Sequence, residues 1–188
     1  MTSVLPFDEL NRFITRIRER YGKEQINFKR DPRAYEDIID ELLDLFLLAY
    51  ARGNAVTNAN LSSNWMPDSS EVMQTVDKKV AGKTWKERVE EYFADGGTVD
   101  DIVRIAETET HRIANTAAVE SARHGGAKQK TWATMLDDKV RAEHEYLEGM
   151  TVGIDEDFYT YDGDHAPAPG LFELAENNVN CRCELIFS

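Results

Sequence analysis

The sequence predicts a mostly helical α+β protein, in which an N-terminal bundle of helices precedes a small C-terminal module of one helix and short antiparallel strands. Three observations carry this expectation. Apolar residues recur at spacings of three and four through most of the chain up to Leu147. Glycines at 22, 53, 96, 97, 125, 126 and 149 punctuate those runs where helices would stop. After Gly149 the apolar residues fall in brief runs, TVGI, FYTY and CELIF, separated by the turn-forming strings YDGD and PAPG.

Leu10, Phe13, Ile14, Ile17 and Tyr21 share one face and predict an amphipathic helix over 7–21 that ends near Gly22. A second helix is expected from Tyr35 to Arg52, with Gly53 as its cap. Its apolar surface, which includes Ile38, Leu42, Phe46 and Leu48, is too wide for a single stripe and predicts the centre of a bundle or an interface. Residues 54–68 turn to Asn, Ser, Thr and Pro and read as a long loop, and 69–79 as a short helix. Thr84 and Glu87 have the spacing of a capping box for a helix that buries Trp85, Val89, Tyr92 and Phe93 and stops at Gly96 and Gly97. Thr98 opens what reads as the longest helix, reaching His124 with Ile102, Ala106, Ile113 and Ala117 on its apolar side. Glu109 lies on that same stripe, so it either has a specific cationic partner or snorkels off the edge. His111 and His124 are expected at the surface. From Thr131 to Leu147 the spacing of Trp132, Leu136, Val140 and Leu147 predicts another helix, with Asp137, Arg141 and His144 along one edge.

Charge and composition narrow the function. The 188 residues carry a formal net charge of -13, which repels nucleic acid at long range and argues against sequence-specific binding to it. Residues 151–180 hold seven carboxylates and no Lys or Arg, a solvated stretch or a surface for something cationic. The most apolar run, Leu42 to Tyr50, is broken by Asp44 and is too short to cross a bilayer, and the first residues lack the pattern of an export signal, so a cytosolic setting is expected. Cys181 and Cys183 form no disulfide framework; metal ligation or plain burial is expected of them.

The string KTWATMLDDKVRAEHEYLEGMTVGIDEDF followed by NCRC resembles the C-terminal domain of phage head morphogenesis, or minor head, proteins related to Mu protein F. Trp132, Asp137, Asp138, Arg141, His144, Gly149, Asp155, Glu156, Phe158 and Asn180, Cys181, Arg182 and Cys183 carry the likeness. Thr108 and Glu109 match the end of an Arg-Thr-Glu string upstream, but its Arg is Glu107 here, and Arg104 stands one turn earlier in its place. The resemblance implies a division into a helical region of unassigned role, 1–97, and a minor head protein-like domain, 98–188. It implies a virion-head component that meets capsid, portal or scaffold protein and acts in capsid assembly or DNA packaging near the portal, with host cytoplasm as its location during assembly. No catalytic activity is implied. Metal-dependent hydrolysis through Asp137, Asp138, His144 and the cysteines is the competing reading, and a small regulatory protein binding a host partner is another. Self-association through Leu42 to Leu48 is compatible with each.

In a terminal strand, period two would place Cys181 and Cys183 on one face and Arg182 on the other. The resemblance adds that relatives often carry Cys-x-x-Cys where this chain has Arg141 and His144, which would complete a four-sulfur structural zinc site. Here His144, Cys181 and Cys183 would hold the ion, with a fourth ligand from Asp137, Asp138, His165 or water. The metal-free alternative buries both thiols, pairs Arg141 with Glu109 or Asp137, and ties His144 into the same junction. Either way Glu109, Trp132, Asp137, Asp138, Arg141, His144 and the Asn180 to Cys183 run are expected to staple the end of the chain to the preceding helix.

Overall fold

A computed structural model describes residues 2–22, 25–26, 31–80, 82–94 and 96–188. Helix α1, Phe7–Tyr21, buries Leu10, Phe13 and Ile17 and ends at Gly22, as its periodicity predicts. A two-residue strand β1, Gln25–Ile26, pairs antiparallel with β2, Gly97–Thr98. Between them run α2, Pro32–Leu61, α3, Ser69–Val76, and α4, Trp85–Ala94. Each begins on a side chain that satisfies free amides. Asp31 accepts from Ala34 N, Asp68 and Glu71 form a capping box, and so do Thr84 and Glu87. Helix α5, Val99–His124, starts on a third box from Thr98 and Asp101.

Helix α2 corrects two expectations. It passes through Gly53 to Leu61 and is longer than α5, at 30 residues against 26. Gly53 is a contact point here, because a β-carbon on it would lie 2.2 Å from the Ala114 carbonyl oxygen of α5. The glycine therefore lets two helix backbones approach closely. The polar composition beyond it reflects a buried polar seam: Asn54, Thr57 and Asn58 are buried, Asn54 Nδ2 donates to Ser121 Oγ at 2.7 Å, and Asn58 Nδ2 donates to the Trp65 carbonyl at 2.7 Å.

The helix expected over 131–147 is not there. Gln129–Ala133 form strand β3, and only Ala142–Leu147 are helical, as α6. Leu136 is 78% exposed with φ of 54°, so its helical spacing from Trp132 is a coincidence of sequence. Strand β3 is the centre of an antiparallel sheet between β4, Thr151–Gly153, and β7, Glu184–Phe187. Phe158–Tyr159 (β5) and His165–Ala166 (β6) make a separate hairpin, and α7 is the single turn Ala175–Asn178. The three β-like runs read after Gly149 are thus strands, in a mostly helical α+β fold.

The core has two parts. Ile38, Leu42 and Phe46 of α2 meet Trp85, Ile102, Ile113 and their neighbours in the helical part, while Leu48 is 53% exposed. Trp132, Leu147, Phe158, Phe172, Leu185 and both cysteines fill the C-terminal part, to which α5 adds Val119. Helix α5 is the wall between the two. Among the described residues no helix is long and apolar enough to cross a membrane.

Candidate functional site

The last turn before β7 brings the cysteines to His144. Asn180 adopts φ of 58°, a left-handed conformation that Asn tolerates better than most residues, and this bend turns the chain out of α7 into Cys181. Buried polar groups on α5 then hold the backbone. The His111 ring Nδ1 meets the Cys181 carbonyl, and four residues on, Asn115 Nδ2 donates to the Cys183 carbonyl at 3.0 Å. His111 and Asn115 are one turn apart and face the same way, so one helix face grips both cysteines. The expectation of a surface position fails for His111, which is buried with its edge against Phe7, and holds for His124, which is exposed and stacked on Trp65.

Arg182 points away from the sulfurs and makes a two-pronged pair with Asp137, at 2.8 and 2.7 Å. Those bonds hold the Asp137 carboxyl below its usual range. Arg141 pairs with neither Glu109 nor Asp137. It donates instead to the carbonyls of Glu176 and Val179, tying α6 to the turn ahead of the cysteines. Asp138 is exposed on its turn. Glu109 lies in the helical part, fully buried, where Arg88 and Arg112 both meet its carboxylate. Arg112 also donates to the carbonyls of Thr75 and Val76, and Arg104 pairs with Asp101 rather than with Glu109. The structure therefore gathers Trp132, Asp137, Arg141, His144 and Asn180 to Cys183 at one junction and leaves Glu109 and Asp138 outside it.

His144 is 2% exposed, Cys181 4% and Cys183 3%. The ring of His144 stands edge-on to Trp132 at 5.4 Å and stacks on Phe172 at 5.5 Å, which fixes its plane. Its Nδ1 lies 3.6 Å from Cys181 Sγ and 3.4 Å from Cys183 Sγ, while Nε2 is buried without a partner. Hydrogen bonds from Cys183 and His144 hold the Cys181 thiol well below its ordinary range; the same shared proton and burial push Cys183 up. Ligands on a tetrahedral zinc with bonds of about 2.1–2.3 Å sit about 3.6 Å apart. The donor atoms of His144, Cys181 and Cys183 lie within 4.8 Å of one another, so they fit three corners of such a site. Among the described residues no fourth His, Cys, Asp or Glu joins them. Asp137 is committed to Arg182, and His165 to Asp157 at 2.8 Å.

Space limits the chemistry. The cleft beside the sulfurs, bordered by Met135, Val140 and Arg141, has a volume near 10 Å³, room for about one water and for no organic substrate. A cavity of about 490 Å³ lies elsewhere, between Arg88, Tyr92 and Glu109 of the helices and Val179 of the C-terminal turn.

The string ENNVN before the cysteines builds the turn that leads into them. Asn178 Nδ2 donates to the carbonyls of Phe172 and Leu174, its Oδ1 accepts from Phe172 N, and Asn177 Nδ2 donates to Asp164. Asp164 also accepts from the amides of His165, Glu173 and Leu174. Three asparagines in four residues were the available signal for such a backbone-bonding turn.

The sequence model of one protein family, described as Phage Mu protein F like protein, matches residues 69–186, well over half of the chain. Minor head protein GP7 of Bacillus phage SPP1 is 38% identical over 85 residues, which make up 44% of this chain and 28% of that protein. The NAD(+)–arginine ADP-ribosyltransferase EFV of Enterococcus faecalis is 36% identical over 88 residues, 45% of this chain and 18% of that protein. The likeness spans less than a third of either relative's length. No solved structure matches the chain.

Proposed function

The chain belongs to the Phage Mu protein F like family, and from that premise we propose that it is a structural component of a tailed-phage head, acting in capsid assembly or DNA packaging beside the portal. One observation supports a structural over a catalytic role: the cluster with the most reactive groups, His144, Cys181 and Cys183, is closed, with a cleft near 10 Å³. Hydrolysis needs room for a substrate beside the reactive groups, and this cleft holds about one water. The likeness to an ADP-ribosyltransferase reaches 18% of that protein, too small a part to carry its activity over.

In this reading the cluster is a staple. A structural zinc held by His144, Cys181 and Cys183, with water as fourth ligand, would bind the end of the chain to α6 by supplying coordinate bonds in place of a limited apolar core. The proposed boundary between 97 and 98 is one of role. Residues 1–97 buttress, 98–188 carry the closed module, and the exposed Leu48 edge of α2 offers a surface for self-association.

Quantitative mass spectrometry of purified proheads and virions tests the assignment. The polypeptide is expected in them at far fewer copies than the major capsid protein. Its absence from every assembly intermediate, with recovery only on a host protein, would replace this reading by the regulatory one.

A further inference from the structure

We propose that Tyr146, Tyr159 and Tyr161 form a docking platform for arginine side chains on a cationic segment of a partner protein. Alternation in the hairpin sets the platform. Phe158 and Thr160 are buried, so Tyr159 and Tyr161 both face outward, 57% and 63% exposed. Helix α6 adds Tyr146, 53% exposed, whose ring stands edge-on to Tyr161 at 6.1 Å. Aromatic rings this exposed on one small surface are what interfaces bury.

The rings are held in place rather than loose. Tyr161 donates its hydroxyl proton to Glu143 at 2.8 Å, and Tyr159 stacks on His165, itself held by Asp157. Glu143 at the Tyr161 hydroxyl and Asp157 at His165 thereby set carboxylates next to the two rings.

Charge selects the occupant. No Lys or Arg occurs between 151 and 180. Among the described residues none stacks on these three tyrosines, whereas Arg20 covers Tyr21 and Arg104 covers Tyr92. The chain thus lays arginine on tyrosines elsewhere and lays none on this set. A guanidinium can lie flat on a ring while forking to a neighbouring carboxylate, which an ammonium cannot do. The local negative charge repels nucleic acid and anionic lipid, so a protein segment bearing arginine is the fitting partner. The choice of a protein partner rests on the reading of the chain as a head component.

Calorimetric titration of the full chain with an Arg-Gly repeat peptide, and with its Lys-Gly counterpart, tests the platform. The arginine peptide should bind several-fold more tightly near physiological salt. The double variant Tyr159→Ala/Tyr161→Ala should weaken it by about tenfold, and Tyr159→Phe/Tyr161→Phe should retain most of the binding. Ring resonances of the unaltered protein should shift on titration, a readout that needs no variant. Equal binding of the two peptides, unmoved rings, or tighter binding of duplex DNA or anionic vesicles would overturn the proposal. If the polypeptide is missing from heads yet the arginine peptide still moves the rings, the head assignment fails and the platform stands. A chain present in heads but without ring-dependent binding sinks the platform alone.

Discussion

Asn115 shows how strongly the closure depends on single buried polar side chains. It is fully buried and donates to the Cys183 carbonyl across 68 positions of sequence. Asn115→Leu is nearly the same size and would leave that carbonyl short of a donor, so a loss of about 1–3 kcal/mol is expected by urea unfolding. No loss would mean that the carbonyl is satisfied elsewhere. Lys130 gives the residue scale a pH signature. Its side chain is buried against the Phe158 ring, donates to the Pro167 carbonyl at 2.8 Å, and titrates at about 8 instead of 10.5 because burial disfavours the charge. Above pH 8 the folded amine has shed its proton while the unfolded one keeps it, up to its ordinary 10.5. Lys130 therefore makes stability rise with pH across that window and contributes no slope below it. Unfolding tyrosines begin to ionise near about pH 10, so the clean interval ends there. Between pH 8 and 10 the wild type should gain stability relative to Lys130→Met, by a few kcal/mol at most; a flat difference would show a solvated amine.

Among the elements, the helices whose starts are written in capping residues were legible in sequence: Thr84 with Glu87 begins α4, and Thr98 begins α5. Capping is local, so four neighbouring residues are enough to read it. The errors fall where distant partners decide. Gly53 looks like a helix end until Ala114 is placed against it, and the polar residues after it look like a loop until Ser121 and the Trp65 carbonyl are there to receive them. Trp132 and Leu136 looked like one helix face because spacing ignores β-propensity and the pull of β4 and β7 on either side. The site followed the same rule. The motif could be read as a unit, but the grip of His111 and Asn115 on it could not, since nothing near them in sequence calls for a buried donor. Gly53→Ala tests the close helix crossing. Alanine favours a helix over glycine by about 1 kcal/mol. A methyl 2.2 Å from the Ala114 oxygen forces the backbones apart, and overpacking of that kind costs about 1–3 kcal/mol or more. A net loss is therefore expected in thermal unfolding, and a gain would mean that the helices are not in contact there.

For the whole molecule the question is whether the helical part and the closed module fold as one. Helix α5 lends one face to Leu42 and Phe46 of α2 and another to the cysteine turn and Val119, so neither part is covered without it. A second tie runs between distant ends of the described chain, where Glu184 of β7 accepts from Ser3 Oγ at 2.6 Å and from Val4 N at 2.9 Å. Two units joined by so much shared surface should unfold together. Tryptophans make this measurable, because Trp85 is buried in the helical part and Trp132 in the module. With Trp65 replaced by Phe, one variant would keep only Trp85 and the other only Trp132. Both should report the same urea midpoint, and Glu184→Ala should lower both midpoints in step. Because α5 is common property, loss of the proposed zinc to a chelator should shift both probes as well, even though its proposed ligands all lie in the module. Separate midpoints, with the Trp132 probe alone responding to the chelator, would mean that the boundary between 97 and 98 divides folding units as well as roles.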